Sequence, residues 1–188
     1  MEAEIESLAR RFGRPRNLIH TLPTIDFGPL NRGRSAEVAM AIRRRNGQFL
    51  LQTKQNYPGG TFRLPTGGIK RGETIEDALL RETEEETSLE VEIRRFVAAI
   101  SYRAPRGNRV FSSYLFILDE RGGTLRTSDP VEGITGWKEA GRAQLDAAAQ
   151  RLRACGGSWA DWGRFRALVI DALVPALDRA PTPRRRSG

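Results

Sequence analysis

The stretch LPTGGIKRGETIEDALLRETEEETSLE, Leu64 to Glu90, gathers four glutamates into five consecutive positions after a glycine-rich loop. These glutamates are Glu82, Glu84, Glu85 and Glu86. Apolar residues recur through the stretch at helical spacing, which predicts a helix over residues 73–87. Like charges packed so closely destabilise a helix unless opposite charges or solvent compensate them. Whether these acids lie on the solvated or on the buried face of the helix therefore indicates their role.

Three of the four acids lie on the face that such a helix buries. On a helical wheel, Glu82, Glu85 and Glu86 continue the apolar stripe that begins at Ile75, whereas Glu84 lies on the opposite, solvated side. Carboxylates on a buried face are desolvated and repel one another unless a cation neutralises them. Oxygen ligands at positions i, i+3 and i+4 suit Mg²⁺, and Mn²⁺ fits the same ligands. The pattern therefore predicts a divalent metal site on this helix.

The residues around the acids agree with such a site. Gly67 and Gly72 allow a tight loop whose backbone can approach a ligand. Glu73 falls in the first turn of the helix, where a negative charge interacts favourably with the helix dipole. Arg81 precedes Glu85 by four positions, so we expect it to pair with Glu85 and orient that carboxylate rather than bind metal.

Length and composition limit the class of protein. A chain of 188 residues is enough for one domain with terminal extensions, and 39% hydrophobic residues exclude wholesale disorder. No apolar run approaches the roughly 20 residues of a membrane span, and the opening MEAEIESLARRFGR does not resemble a secretory signal, so we expect a cytoplasmic protein with no membrane partner. The lone Cys155 argues against a thiolate zinc site.

The net charge of +8 is ambiguous. Only three of the 31 basic residues are lysines, Lys54, Lys70 and Lys138, and such a bias toward arginine can reflect genomic composition. Basicity supports non-specific attraction to nucleic acid and says little about activity. RNA is therefore a partner that the charge allows but does not favour.

Hydrophobic patterning predicts the remaining elements and the organisation of the chain. They are a helix over residues 3–12, a hairpin around Asn46 and Gly47, strands in VEIRRFVAAISY and VFSSYLFIL, and helices over 140–153 and from Ser158 to a kink at Pro175. We interpret the apolar face of the last helix, Trp159, Trp162, Phe165 and Val169, as core. Residues 1–34 are expected to be an accessory segment, 35–178 the domain, and 179–188 a disordered basic tail.

At the glutamate helix the chain resembles the Nudix hydrolase family. The family's box is a glycine, five residues, Glu, seven residues, Arg-Glu, an aliphatic position, any residue, Glu-Glu, any residue, Gly and an aliphatic position. The matching positions are Gly67, Glu73, Arg81, Glu82, Thr83, Glu85, Glu86, Ser88 and Leu89. Thr83 replaces the usual aliphatic residue and Ser88 the usual glycine, and neither departure removes a carboxylate.

The resemblance implies an α/β fold, namely a Nudix-like α/β/α sandwich with a mixed β-sheet, to which N-terminal and C-terminal helical extensions are added. It also implies hydrolysis of a phosphoanhydride bond in a nucleoside diphosphate linked to another moiety, for example a nucleotide-sugar such as ADP-ribose, or in a nucleoside triphosphate. Glu82, Glu85 and Glu86 would bind Mg²⁺, helped by a backbone carbonyl near Gly67.

Catalysis in this family needs a base, which the resemblance does not fix to one residue. A glutamate would remove a proton from the attacking water, and the candidates are Glu82, next to Arg81, and Glu132, shortly before Trp137. We therefore count Glu82, Arg81 and Glu132 as catalytic candidates.

The substrate is less well defined by the sequence. Arg103 and Arg106 lie in a turn between two predicted strands and are candidates for gripping phosphate. Pro105, 16 residues after Leu89, resembles a weak marker of ADP-sugar pyrophosphatases, and no tyrosine occupies the positions where dinucleoside polyphosphate hydrolases carry one. The alternatives are an RNA 5′-end pyrophosphohydrolase and a non-catalytic nucleotide-binding regulator. The resemblance also allows a homodimer, to which residues 1–34 would contribute.

Overall fold

The computed structural model describes residues 2–22, 34–103, 110–127 and 133–178. The predictions made for Pro105, Arg106, Glu132 and the tail 179–188 lie outside these residues.

Seven strands and four helices make up the described part of the chain. In chain order they are α1 (Glu2–Phe12), β1 (Arg16–Thr21), β2 (Ala36–Arg43), β3 (Phe49–Lys54), β4 (Thr66–Gly68), α2 (Ile75–Thr87), β5 (Leu89–Arg103), β6 (Val110–Gly123), β7 (Ile134–Ala140), α3 (Arg142–Arg153), a 3₁₀ turn (Gly157–Trp159) and α4 (Ala160–Leu177). Within the described ranges, no helix is both long and apolar enough to cross a membrane.

The strands form one mixed sheet in the order β1-β5-β6-β2-β3-β7, with β4 paired to β2 beside this path. β1 runs parallel to β5 and β2 parallel to β6, while the other pairs are antiparallel. The register of β2 sets Val38 opposite Gly67 and opposite Tyr114 of β6. The glycine loop is therefore attached to the middle of the sheet.

Helices cover both faces of this sheet. Because successive residues of a strand point to opposite faces, Val38, Met40 and Ile42 of β2 pack toward α1 and α2, whereas Ala39 and Ala41 pack toward α3 and α4. The predicted α/β/α sandwich is confirmed. Trp162, Phe165 and Val169 are buried in the second layer, as expected, and α4 continues past Pro175 to Leu177.

A buried ion pair attaches α4 to the sheet. Arg166 donates from Nη1 to both carboxylate oxygens of Glu37, at 2.7 and 2.9 Å, and the Ser113 hydroxyl donates to the same carboxylate at 2.7 Å. Losing one partner of such a pair leaves an uncompensated buried charge, so the contact fixes where α4 lies on β2 and β6.

The helix that carries the acids has defined ends. At its start the Thr74 hydroxyl accepts a hydrogen bond from the Asp77 N–H, which satisfies one of the unpaired donors of the first turn. At its end Ser88 adopts a left-handed conformation, with φ 51° and ψ 29°, and its N–H donates to the Glu84 carbonyl at 2.8 Å. Ser88 is thus the position at which the chain reverses into β5.

The two departures from the box have different physical costs. Thr83 is buried, but its hydroxyl donates to the Leu79 carbonyl at 2.7 Å, so no polar group is left without a partner. Ser88 is a non-glycine residue at positive φ, and its buried hydroxyl has no hydrogen-bond partner among the described residues. The strain of the left-handed conformation therefore lies at Ser88.

Replacing Ser88 by glycine is expected to raise the free energy of unfolding by about 0.5–1 kcal/mol, since glycine adopts positive φ without steric cost and this outweighs its extra freedom in the unfolded chain. Urea denaturation measures the change. Ser88→Ala removes the same hydroxyl and keeps Cβ, so the difference between the two variants isolates the backbone contribution. A Ser88→Gly protein no more stable than Ser88→Ala would contradict this account.

Candidate active site

Glu82, Glu84 and Glu86 of α2 lie on the predicted faces, whereas Glu85, predicted to be on the buried face, is partly exposed. Glu82 is 5% exposed and Glu86 is fully buried, whereas Glu84 faces solvent. Glu85 lies between these extremes, with its side chain 38% exposed. Two carboxylates therefore enter the apolar interior of a helix–sheet interface, where they need compensating charge.

Arg81 supplies that charge to three acids at once. Its guanidinium donates to both oxygens of Glu73, at 2.6 and 2.9 Å, to Glu82 at 2.8 Å and to Glu85 at 2.9 Å. A further bond at 3.1 Å reaches the carbonyl of Gly68 in β4. The expected contact with Glu85 is present, but it is one of several, and the planar fork of donors joins the loop, the strand and the helix.

The pKa of Glu73 responds to this arrangement. The hydrogen bonds from Arg81 hold the pKa of Glu73 at about 2, below its ordinary value of 4.5. The same bonds raise the pKa of Arg81. Glu73 also accepts from the Lys70 N–H at 2.8 Å, which closes the loop before the helix.

Gly67 is needed because the Glu82 carboxylate lies against its backbone. A Cβ atom added at Gly67 would fall 2.0 Å from the Glu82 carboxyl carbon, far inside van der Waals contact. The glycine therefore gives the carboxylate its place beside β4. Burial raises the pKa of Glu82, and the neighbouring charges of Glu86 and Glu85 add to this, while the bond from Arg81 opposes it.

Glu86 is held by a second set of partners. Gln52 donates to it from Nε2 at 3.1 Å and Lys54 from Nζ at 3.2 Å. Burial raises the pKa of Glu86, opposed by the charges of Arg63 and Lys54. Gln52 and Lys54 stand two positions apart on β3 and thus point to the same face. The sequence signal for this contact was the presence of two polar residues at inward-facing positions of β3. The periodicity of α2 alone did not reveal it.

Arg63 is a further residue that sequence reasoning missed. It is only 4% exposed, and it donates to the Tyr57 hydroxyl at 2.7 Å, the Leu64 carbonyl at 2.7 Å and the Thr66 hydroxyl at 3.0 Å. A buried arginine that makes these three hydrogen bonds fixes the backbone that leads into Gly67.

The predicted metal ligands do not converge on a single point. Across the described part of the chain, no three Asp, Glu, His or Cys side chains lie together as a group that could hold a metal ion. Glu82 and Glu85 are turned to Arg81, and Glu86 is turned to Lys54. The carboxylates are nevertheless close enough for the charges of Glu86 and Glu85 to add to the rise in the pKa of Glu82.

Arg103, one of the two predicted phosphate-binding arginines, is set apart from the acids, and Arg106 lies outside the described residues. Arg103 is exposed at the end of β5, opposite Val110 of β6. Ala99 of β5 pairs with Tyr114 of β6, Tyr114 pairs with Val38 of β2, and Val38 pairs with Gly67. Arg103 lies four residues beyond Ala99 along β5. That offset corresponds to about 13 Å along the strand.

Comparison with known proteins identifies the family. The sequence profile of the NUDIX domain matches residues 33–159, more than half of the chain. The chain belongs to the NUDIX family. Residues 2–22, with α1 and β1, lie outside the matched region.

Two relatives share part of this NUDIX chain. An ADP-ribose pyrophosphatase from Methanocaldococcus jannaschii is 39% identical over 93 residues, which are 48% of this chain and 54% of that protein. An NAD-capped RNA hydrolase NudC from Photorhabdus laumondii is 32% identical over 92 residues, which are 49% of this chain and 34% of that protein. The chain thus spans about half of the length of the first relative and about a third of the second.

A solved structure supports the NUDIX fold. A NUDIX hydrolase from Nitrosomonas europaea superimposes with a TM-score of 0.54 at 18% identity, covering 79% of this chain and 93% of that one.

When the pH is lowered, the free energy of unfolding of Glu73→Gln is expected to fall less than that of wild type. Because the folded pKa of Glu73 is depressed to about 2, its contribution is present above its ordinary pKa of 4.5 and disappears as pH falls through about 2. The difference in unfolding free energy between wild type and Glu73→Gln should therefore be largest at pH 7 and shrink between pH 5 and pH 2. Urea denaturation across this range checks it, and a difference that does not change with pH would contradict it.

Replacing Gly67 by Ala is expected to lower the unfolding free energy by about 1–3 kcal/mol, because Cβ displaces the buried Glu82 carboxylate. Gly59→Ala is the matched control, since a Cβ there meets nothing within 4 Å. Chemical denaturation of both variants measures the change. Equal stability of the two variants would show that Glu82 moves aside at no cost.

Proposed function

We propose that this chain hydrolyses a phosphoanhydride bond in a nucleoside diphosphate linked to another moiety, using a divalent metal. The observation that carries the proposal is the burial of Glu82 and Glu86 on the apolar face of α2, beside the glycine loop of a NUDIX domain. Glutamates needed only for solubility would lie where Glu84 lies. Desolvated carboxylates that repel one another are the ordinary setting for a hard cation.

The donors fit such a cation in their chemistry. Glu82, Glu85 and Glu86 offer carboxylate oxygens, and the Gln52 Oε1 atom is buried with no hydrogen-bond partner among the described residues. All of these are hard oxygen donors, which suit Mg²⁺ and Mn²⁺. When bound, the metal would screen the diphosphate charge and lower the pKa of water. Glu82, Glu85, Glu86 and the backbone at Gly67 are the residues that would hold it.

The other residues of the site would prepare the carboxylates for this task. Arg81 holds Glu82 and Glu85 in place, and Lys54 with Gln52 holds Glu86. We propose Glu82 as the base, since Arg81 holds its carboxylate beside the Gly67 backbone and burial raises its pKa. In the reaction, water oxygen bonds to phosphorus, the bridging P–O bond breaks, Glu82 takes the water proton, and the second phosphate leaves.

The substrate and setting remain part of the proposal. The name of the relative from M. jannaschii favours a nucleotide-sugar such as ADP-ribose. Mg²⁺ as the metal, a cytoplasmic location, homodimer formation and roles for Arg103, Arg106 and Glu132 are further predictions. We also propose the division of the chain into an accessory segment (1–34), the domain (35–178) and a basic tail (179–188).

A second candidate substrate is the 5′ end of RNA. The relative named as an NAD-capped RNA hydrolase favours it, and the net charge of +8 is compatible with it. Binding of RNA through several arginines would weaken steeply with salt, because phosphate contacts release counterions. A small nucleotide, with fewer phosphates, would show a shallow dependence.

The proposal is tested by mass spectrometry of products formed in ¹⁸O water with Mg²⁺. The panel contains ADP-ribose, nucleoside triphosphates, dinucleoside polyphosphates, and triphosphate-capped and NAD-capped RNA. We expect one class to be cleaved, with the label identifying the phosphorus attacked by water. EDTA should abolish the reaction.

Two variants of the same helix make the test specific. Glu86→Gln should lower kcat by at least about 100-fold, the usual cost of losing one electrostatic element of a site. Glu84→Gln, on the solvated side of α2, should retain wild-type activity. Equal activity of the two variants would contradict the assignment of the buried face. Binding of Mg²⁺ and nucleotide without cleavage of any substrate would replace the hydrolase with a non-catalytic regulator.

A further inference from the structure

Helix α1 lies outside the residues matched by the NUDIX profile, yet it contacts the first turn of α2. Leu8 is 2% exposed and belongs to the same core cluster as Ile75 and Leu79 of α2. Ile5 and Phe12, one turn to either side of Leu8, pack against that cluster. The apolar stripe of α1 thus lies in the layer that contains the acid-bearing helix.

A carboxylate of α1 reaches the backbone of α2. Glu4 Oε1 accepts a hydrogen bond at 2.5 Å from the N–H of Ile75, the first residue of α2. Such N–H groups have no partner within their own helix, and the Thr74 hydroxyl is bonded to a different one, that of Asp77. The Glu4 charge also lies at the positive end of the α2 dipole.

A second contact joins the two helices one residue further on. Arg11 donates from its two Nη atoms to the two carboxylate oxygens of Glu76, at 2.5 and 2.8 Å. A two-pronged pair fixes direction as well as distance, because both planar groups must be aligned. The hydrogen bond to Glu76 raises the pKa of Arg11.

These contacts act on the helix as a unit. Ile75 and Glu76 begin α2, and Glu82 and Glu86 follow on the same rigid element, about 10 and 16 Å from Ile75 along the axis. A tilt or rotation of the first turn would therefore move both acids relative to Gly67 and Lys54. Thr74 and Asp77 already provide a local cap, so helix formation alone does not require a carboxylate from another helix.

We propose that Glu4 and Arg11 are positioning residues of the active site, which hold α2 in the orientation that its acids need. This inference rests on the proposed hydrolase function. It assigns to the N-terminal helix a role in the reaction, although neither residue touches the acids themselves.

The test compares Glu4→Ala with Glu6→Ala in the full chain. Both changes place alanine, a good helix former, in α1, so the helix itself is preserved. Glu6 forms ion pairs only with Arg10 and Arg14 among the described residues, near its own helix, and is the matched control. Three quantities are measured at a temperature where circular dichroism shows every variant folded: Mn²⁺ affinity by electron paramagnetic resonance, kcat and KM for the cleaved substrate, and Tm.

Glu4→Ala is expected to lower kcat about tenfold with KM changed less than about twofold, since small misplacements of reacting groups cost rate more than binding. Its Mn²⁺ affinity should fall at least about threefold, while Glu6→Ala matches wild type in both. If Glu4→Ala lowers Tm but keeps wild-type kcat and Mn²⁺ affinity, α1 only stabilises the fold and the proposal is overturned.

A double-mutant cycle tests Arg11 independently. If Arg11 acts through Glu76, then Arg11→Ala, Glu76→Ala and the double variant should show the same loss of kcat rather than losses that multiply. Multiplying losses would overturn the role of this pair.

Failure of the hydrolase proposal can be recognised separately. If wild type cleaves no member of the panel, Mn²⁺ affinity alone decides: weaker binding by Glu4→Ala than by Glu6→Ala supports positioning of a metal site, and equal binding overturns it.

Discussion

The site depends on one guanidinium. Arg81 connects Glu73 before the helix, Glu82 and Glu85 within it, and the carbonyl of Gly68 in β4. Only arginine offers five donors in a fixed plane and stays charged under all relevant conditions, so it can join three carboxylates without being neutralised. The acids are thereby kept in place at the edge of an apolar layer, where they would otherwise repel one another. Loop, strand and helix are consequently all bonded to a single side chain.

The electrostatics of the site have two separate halves. Arg81 compensates the carboxylates at the glycine loop, while Lys54 and the buried Arg63 compensate Glu86 on the side of β3. Each half uses cations that belong to the chain. A divalent ion entering the site would therefore compete with internal partners rather than meet bare carboxylates. The affinity for such an ion depends on how readily these internal bonds are exchanged, and not only on the number of acids present.

The sequence predicted what depends on local periodicity. The burial of Glu82 and Glu86 and the exposure of Glu84 follow from residues a few positions apart, and each is present in the structure. The predicted start of α2 was wrong: the helix begins at Ile75 after the Thr74 cap, so Glu73 precedes it instead of lying in its first turn. Gln52, Lys54 and Arg63 could not be assigned in this way, because they meet Glu86 or its neighbours only after strands distant in sequence are paired. The apolar stripe of α1 was recognised, but a stripe reveals only that a face is buried and not what covers it. Helix α1 packs into the core, and β1 joins the sheet by pairing with β5.

The scarcity of lysine gives one contact an unusual chemical character. Lys54 is one of only three lysines among 31 basic residues, and its ammonium lies 3.2 Å from the buried carboxylate of Glu86. Acylation of primary amines leaves guanidinium groups unchanged, so an acetyl group transferred to this chain has few side chains to react with. At Lys54 it would replace a cation with a neutral amide and leave Glu86 with one fewer compensating charge. A modification that is harmless on most lysine-rich surfaces would here act directly on the site.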